Sequence, residues 1–136
     1  MSAANKAGAR AVLRAITQTP ADDWWKSGPP VAAAGEILLG IGKPEKKDVP
    51  QETLRFSPRQ AEWIAAVLKH SYGSFTQHPQ HDDARLEVEI ITDKEALLVR
   101  NGRAYEVLLA RATSELWADA ARAARAAVQK AKDGGR

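Results

Sequence analysis

The densest group of side chains able to do chemistry is His78-Pro79-Gln80-His81-Asp82-Asp83, with His70 one loop away. Imidazole and carboxylate both ligate zinc, so His78, His81 and Asp82 form the candidate metal set. Their spacing matches no rigid metal motif, and polar loops collect His and Asp by composition alone. Gly35-Glu36-Ile37-Leu38-Leu39-Gly40-Ile41-Gly42-Lys43-Pro44 offers glycines and a lysine in the manner of a phosphate loop. That motif needs Lys directly after its second Gly, with Ser or Thr next, and here Pro44 stands where the helix should begin. A helix ended by glycines is the simpler reading.

For nucleophilic chemistry there is no Gly-x-Ser-x-Gly elbow and no Ser-x-x-Lys pair. Ser57, Thr113 and Ser114 are read as helix caps, and the carboxylate pairs Asp22-Asp23 and Asp82-Asp83 as solvated groups. No catalytic residue and no cofactor is assigned, so binding, rather than catalysis, is the expected activity.

The totals narrow the class. The chain of 136 residues is 44% hydrophobic and 27% charged, which suits one soluble domain with a core of its own. Cysteine is absent, which removes disulfides, thiolate metal sites and thiol nucleophiles and suits a reducing compartment. A net charge of +3 and a pI near 9.3 permit acidic partners or nucleic acid without requiring either. No apolar run approaches the roughly 18 residues of a membrane span. Lys6, Arg10 and Arg14 interrupt any signal-peptide core; the same segment also has the acid-free, Arg-bearing character of a mitochondrial presequence, but its Ala/Arg bias is better matched to a bacterial or mobile-element protein of the cytoplasm.

The elements that must position these groups are read as follows. Residues 5–18 carry a helical pattern, Thr19-Pro20 opens a short helical turn bearing Trp24 and Trp25, and residues 30–39 are expected to be a third helix ended by Gly40 and Gly42. Residues 43–56, with two prolines and mixed charge, read as an exposed connector, and 74–84 as a polar loop. Ser57-Pro58-Arg59-Gln60 is a capping box, which predicts a helix from there to Tyr72. Asn101-Gly102 is the strongest hairpin signal, with positive φ tolerated at both positions. It places Arg100 opposite Arg103, Leu98 opposite Tyr105 and Ala96 opposite Val107, and a second turn at Asp93-Lys94 returns Leu86, Val88 and Ile90 as a third strand, one face apolar and the other charged. Thr113 or Ser114 then caps a helix to about Lys132.

The expected architecture is therefore α+β: four to five helices on a three-stranded antiparallel meander, with a long C-terminal helix. Within this single domain, residues 1–42 are helical, 43–56 a connector, 57–132 a helix–meander–helix unit and 133–136 a loose tail. The expected function is a small non-catalytic adaptor or regulator acting by protein contact or self-association. Its partner-binding candidates are Trp24 and Trp25 at an exposed turn, and Ala120, Ala124, Ala127 and Ala131 on a helix face that buries little area per residue. The alternative is nucleic-acid binding through Arg10, Arg14, Arg100, Arg103, Arg122 and Arg125. A second alternative is an enzyme or metal protein using the His78–Asp83 loop.

Overall fold

The computed structural model describes residues 24–80, 83–100 and 105–134. The helix expected at 5–18, the Thr19-Pro20 start, the Asn101-Gly102 turn with Arg103, and His81 and Asp82 lie outside them. The described elements are β1 (Trp25–Ser27), β2 (Val31–Ala33), β3 (Glu36–Gly42), β4 (Glu52–Phe56), α1 (Pro58–Val67), β5 (Gly73–Gln77), β6 (Leu86–Ile90), β7 (Glu95–Arg100), β8 (Tyr105–Ala110), a 3-10 turn at Arg111–Thr113, and α2 (Ser114–Gly134). The expectation of four to five helices on three strands is overturned: among the described residues two α-helices accompany one eight-stranded mixed sheet.

The sheet begins with β4 paired to β3, continues through β1 and β2 on the other side of β3, and runs on as β8, β7, β6 and β5. Gly28-Pro29-Pro30 separates β1 from β2, since proline has no N–H for a ladder. Gly28 N–H donates to the Gly40 carbonyl at 2.9 Å and holds both halves on β3. Trp25 lies opposite Val107 in a parallel pairing of β1 with β8, and every other described pairing is antiparallel.

The helix expected at 30–39 is instead the β2–β3 hairpin. Ile37, Leu39 and Ile41 are buried while Leu38 and Gly40 face the other way, a period of two. The apolar run was ambiguous between helix and strand; its isoleucines favour the strand, and Gly40 and Gly42 weaken a helix. Ala34 and Gly35 both have positive φ, 51° and 82°, so the chain reverses there in two residues. The connector is shorter than expected because residues 52–56 alternate, with Leu54 and Phe56 inward and Thr53 and Arg55 outward, and pair with β3 as β4. Residues 74–77 of the expected polar loop belong to β5, and Trp25 starts a strand rather than continuing a helical turn.

Strands β6, β7 and β8 do form a meander, with Arg100 opposite Tyr105, Leu98 opposite Val107 and Ala96 opposite Leu109. This register differs by two residues from the one expected around Asn101-Gly102. A shift of two keeps every side chain on its face. It gains by placing Leu97 opposite Leu108 instead of Glu106, and it avoids setting Arg100 against Arg103. The outer face is not wholly charged either: Leu97 and Val99 are buried there with Trp24, and Ile91 and Leu108 pack against them.

Both helices lie on the opposite face. Ile64, Ala65 and Leu68 of the first helical segment and Trp117, Ala121 and Ala124 of α2 join Ile37, Leu39, Leu86, Leu98 and Val107 in the main core. Trp117 is fully buried with its ring edge-on to Phe56 at 5.4 Å, a side chain worth on the order of 1.5–3 kcal/mol in apolar burial alone. The capping box of α1 is formed from both sides: Ser57 Oγ accepts from Gln60 N–H at 3.2 Å, and Gln60 Oε1 accepts from Ser57 N–H at 3.1 Å. This helix stops at Val67 rather than Tyr72, and bonded turns carry the chain to His70. The C-terminal helix extends to Gly134, so Asp133 and Gly134 belong to it rather than to a loose tail.

Candidate functional site

Residues of β4 and β7, which are not neighbours in the sheet, meet on the face that carries the helices. Arg100, the last residue of β7, stacks its guanidinium over the Phe56 ring of β4 at 5.2 Å. Tyr105 is the in-register partner of Arg100, and its hydroxyl donates to Glu52 Oε1 at 2.9 Å. The Trp25 ring meets Tyr105 edge-on at 5.7 Å, and Lys43 Nζ sits 5.0 Å above Trp25. Phe56, Arg100, Tyr105, Trp25 and Lys43 thus form a continuous row in which aromatic rings and cations lie side by side. Phe56 and Tyr105 are buried, whereas Trp25, Arg100 and Lys43 keep part of their surface.

Arg100 differs from its peers. Every other arginine among the described residues is held by oxygen: Arg55 by Glu36 at 3.8 Å, Arg59 by Asp83 at 3.4 Å, Arg85 by Glu87 at 3.1 Å, Arg122 by Asp119, and Arg125 by both oxygens of Glu62 at 2.6 and 2.9 Å. Arg111 donates to the carbonyls of Leu68, Thr92 and His70. The Arg100 side chain has the Phe56 ring and, among the described residues, no hydrogen bond or ion pair. Burial pulls its guanidinium below the ordinary value, while the Tyr105 hydroxyl and the Asp83 carboxylate act in the other direction. The Asp83 carboxylate is itself engaged by Ser57 Oγ at 3.1 Å and by Arg59.

The other sequence candidates are not gathered here. Trp24 is buried on the outer face against Leu97 and Val99, so of the tryptophan pair only Trp25 belongs to the row. Ala120 and Ala124 are interior residues, covered within the chain, which corrects their assignment to a partner surface. The reason is the packing of α2 on α1, strapped by Ser114 to Ala65 at one end and Arg125 to Glu62 at the other, across which small side chains permit close approach. Ala127 and Ala131 are exposed on the distal turns of α2. Arg122 and Arg125 are the neutralised members of the basic set, and Arg10, Arg14 and Arg103 lie outside the described residues. His78 is exposed and its main-chain carbonyl accepts from Arg59 at 3.3 Å. Among the described residues no group of three His, Asp or Glu is placed to hold a metal.

Sequence reasoning singled out Arg100 and Trp25 but not Phe56, Tyr105, Glu52 or Lys43. Nothing in their spacing links them: Lys43 and Tyr105 reach Trp25 through the pairing of β1 with β3 and β8, and Phe56 and Glu52 come from β4. No helix among the described residues is long and apolar enough to cross a membrane. Compared with protein-family models, curated proteins and solved structures, the chain matches none of them.

Proposed function

We propose that this chain is a non-catalytic cytoplasmic binding protein, an adaptor or regulator, that engages another protein through the row formed by Trp25, Lys43 and Arg100 over Phe56 and Tyr105. Aromatic rings beside arginine are the composition of contact points that carry most of a protein interface's energy. The single observation behind the reading is the distribution of neutralised arginines. A nucleic-acid surface needs several cations free to displace counterions along a phosphate backbone. Here Arg122 and Arg125, two of the arginines that could line such a track, are paired with carboxylates on the protein itself. Glu52 and Asp83 beside the row would also repel a polyanion.

The test has two arms. Selection of a displayed random-peptide library on the folded protein should return a recurrent peptide motif, and a labelled mixed-sequence duplex and its single strand should show no saturable binding at moderate salt. Saturable oligonucleotide binding that weakens steeply with salt, with no peptide motif recovered, would overturn the proposal in favour of nucleic acid.

A further inference from the structure

We propose that Arg100 is the receptor for a carboxylate, supplied by an Asp or Glu side chain in an exposed acidic segment of the partner protein. The inference rests on the protein-binding reading above and names the partner's chemistry. A half-buried guanidinium has given up some of its hydration, and stacking on Phe56 replaces that only incompletely. Its planar fork of donors is shaped for the two oxygens of a carboxylate. The nearby carboxylates do not fill that role: Asp83 is taken by Ser57 and Arg59, and Glu52 accepts from Tyr105. Phe56 fixes the plane of the group, so less freedom is lost when the fork closes on an incoming acid. Trp25, partly exposed and braced edge-on by buried Tyr105, provides ring surface for an apolar residue flanking the acid, and Lys43 over Trp25 provides a second, weaker charge contact. Among the described residues, a single unneutralised arginine among paired ones suits one acidic side chain better than a run of phosphates.

The experiment uses the full chain on an array of immobilised peptides of defined sequence, each acidic peptide matched by its Asp→Asn and Glu→Gln counterpart, with Arg100→Gln and Arg100→Lys variants alongside wild type. Wild type should prefer acidic peptides over their amide counterparts by about ten- to a hundred-fold, the range for losing a charged hydrogen-bonded pair. Arg100→Gln should abolish that preference, and Arg100→Lys, which keeps the charge but not the fork, should retain some of it. A merely structural Arg100 would lower the melting temperature when replaced; a receptor left without its anion should melt at the same temperature or higher as Gln. Equal binding of acid and amide peptides, or a preference unchanged in Arg100→Gln, overturns the carboxylate assignment while the protein-binding reading stands. Failure of every peptide together with oligonucleotide binding overturns both.

Discussion

Ser114 Oγ donates to the main-chain carbonyl of Ala65 at 2.7 Å in a buried position. That carbonyl lies at the end of α1, where Lys69 N–H turns to Ala66 instead of continuing the ladder, so Ser114 fills an acceptor the helix leaves unsatisfied. Arg111 does the same for Leu68 and His70 and brings positive charge to the negative end of the helix dipole. The start of α2 is thereby the C-cap of α1. Ser114→Ala should destabilise the protein by about 1–3 kcal/mol, as expected for a buried acceptor left without its donor. Chemical denaturation would show it as a lower midpoint at unchanged slope. Ser114→Thr, which keeps the hydroxyl, should recover some of the loss.

Gln60 is the residue of the capping box that a rule based on sequence alone would exchange for glutamate. Its Oε1 completes the box with Ser57 N–H, but its Nε2 also donates to the Ala84 carbonyl at 2.9 Å, and the side chain is 2% exposed. Glutamate would keep the first bond, lose the second and set a buried carboxylate against a carbonyl oxygen. We expect Gln60→Glu to cost roughly 2 kcal/mol despite the favourable N-terminal dipole, measurable by thermal melting at neutral pH. Equal or higher stability would show that the Ala84 bond contributes nothing.

Legibility in the sequence followed the range of the interaction. The Ser57–Gln60 box and the pairing of β6 with β7 are set by residues close together in the chain and stand where local chemistry places them, whereas α2 starts at Ser114 without the expected cap, since Thr113 donates to Ala110 and Ser114 to distant Ala65. The β2–β3 hairpin was hidden because an apolar run of glycine, isoleucine and leucine has no decisive period, and because its turn residues, Ala34 and Gly35, are a weak hairpin signal beside Asn101-Gly102. The row at Arg100 was legible only as isolated members: Tyr105 hydrogen-bonds across 53 residues to Glu52, a contact between β8 and β4 that spacing cannot announce.

The Ala34-Gly35 turn offers a gain as well as a loss. Alanine at φ 51° holds a conformation that asparagine tolerates better, and Asn-Gly is the preferred pair for a two-residue reversal with positive φ at both positions. Ala34→Asn should raise stability by about 0.5–1 kcal/mol. Gly35→Ala should lower it, since φ is 82° and the new Cβ would meet Val128 Cγ2 at 2.8 Å. Val128→Ala in the same chain should relieve the clash but not the backbone strain, so the double variant should recover only a fraction of the loss. Full recovery would assign the whole penalty to the steric contact.

Glu89 sets a pH dependence opposite in sign to that of a paired carboxylate. It lies on the outer face of β6, in register with Leu97, and its Oε1 is buried without a hydrogen-bond partner in the described structure. Burial, and then the charge of Glu87, push its pKa up from 4.5 to about 7. The folded chain therefore holds a proton that the unfolded chain releases, so the stability contributed is complete below about pH 4.5 and is lost as pH rises through about 7. Because the side chain is partly exposed, solvent screening reduces the effect to roughly 1–2 kcal/mol. Glu89→Gln should flatten the stability profile across that window and be the more stable protein at pH values above it. Glu62, whose pKa the Arg125 hydrogen bonds lower, acts in the reverse sense: its contribution is present above the ordinary carboxylate range and lost on acidification through its lowered pKa. Guanidinium denaturation of wild type, Glu89→Gln and Glu62→Gln at a series of pH values separates the two. A wild-type profile with no decline between pH 4.5 and 7 would show that Glu89 is hydrated and ionises normally.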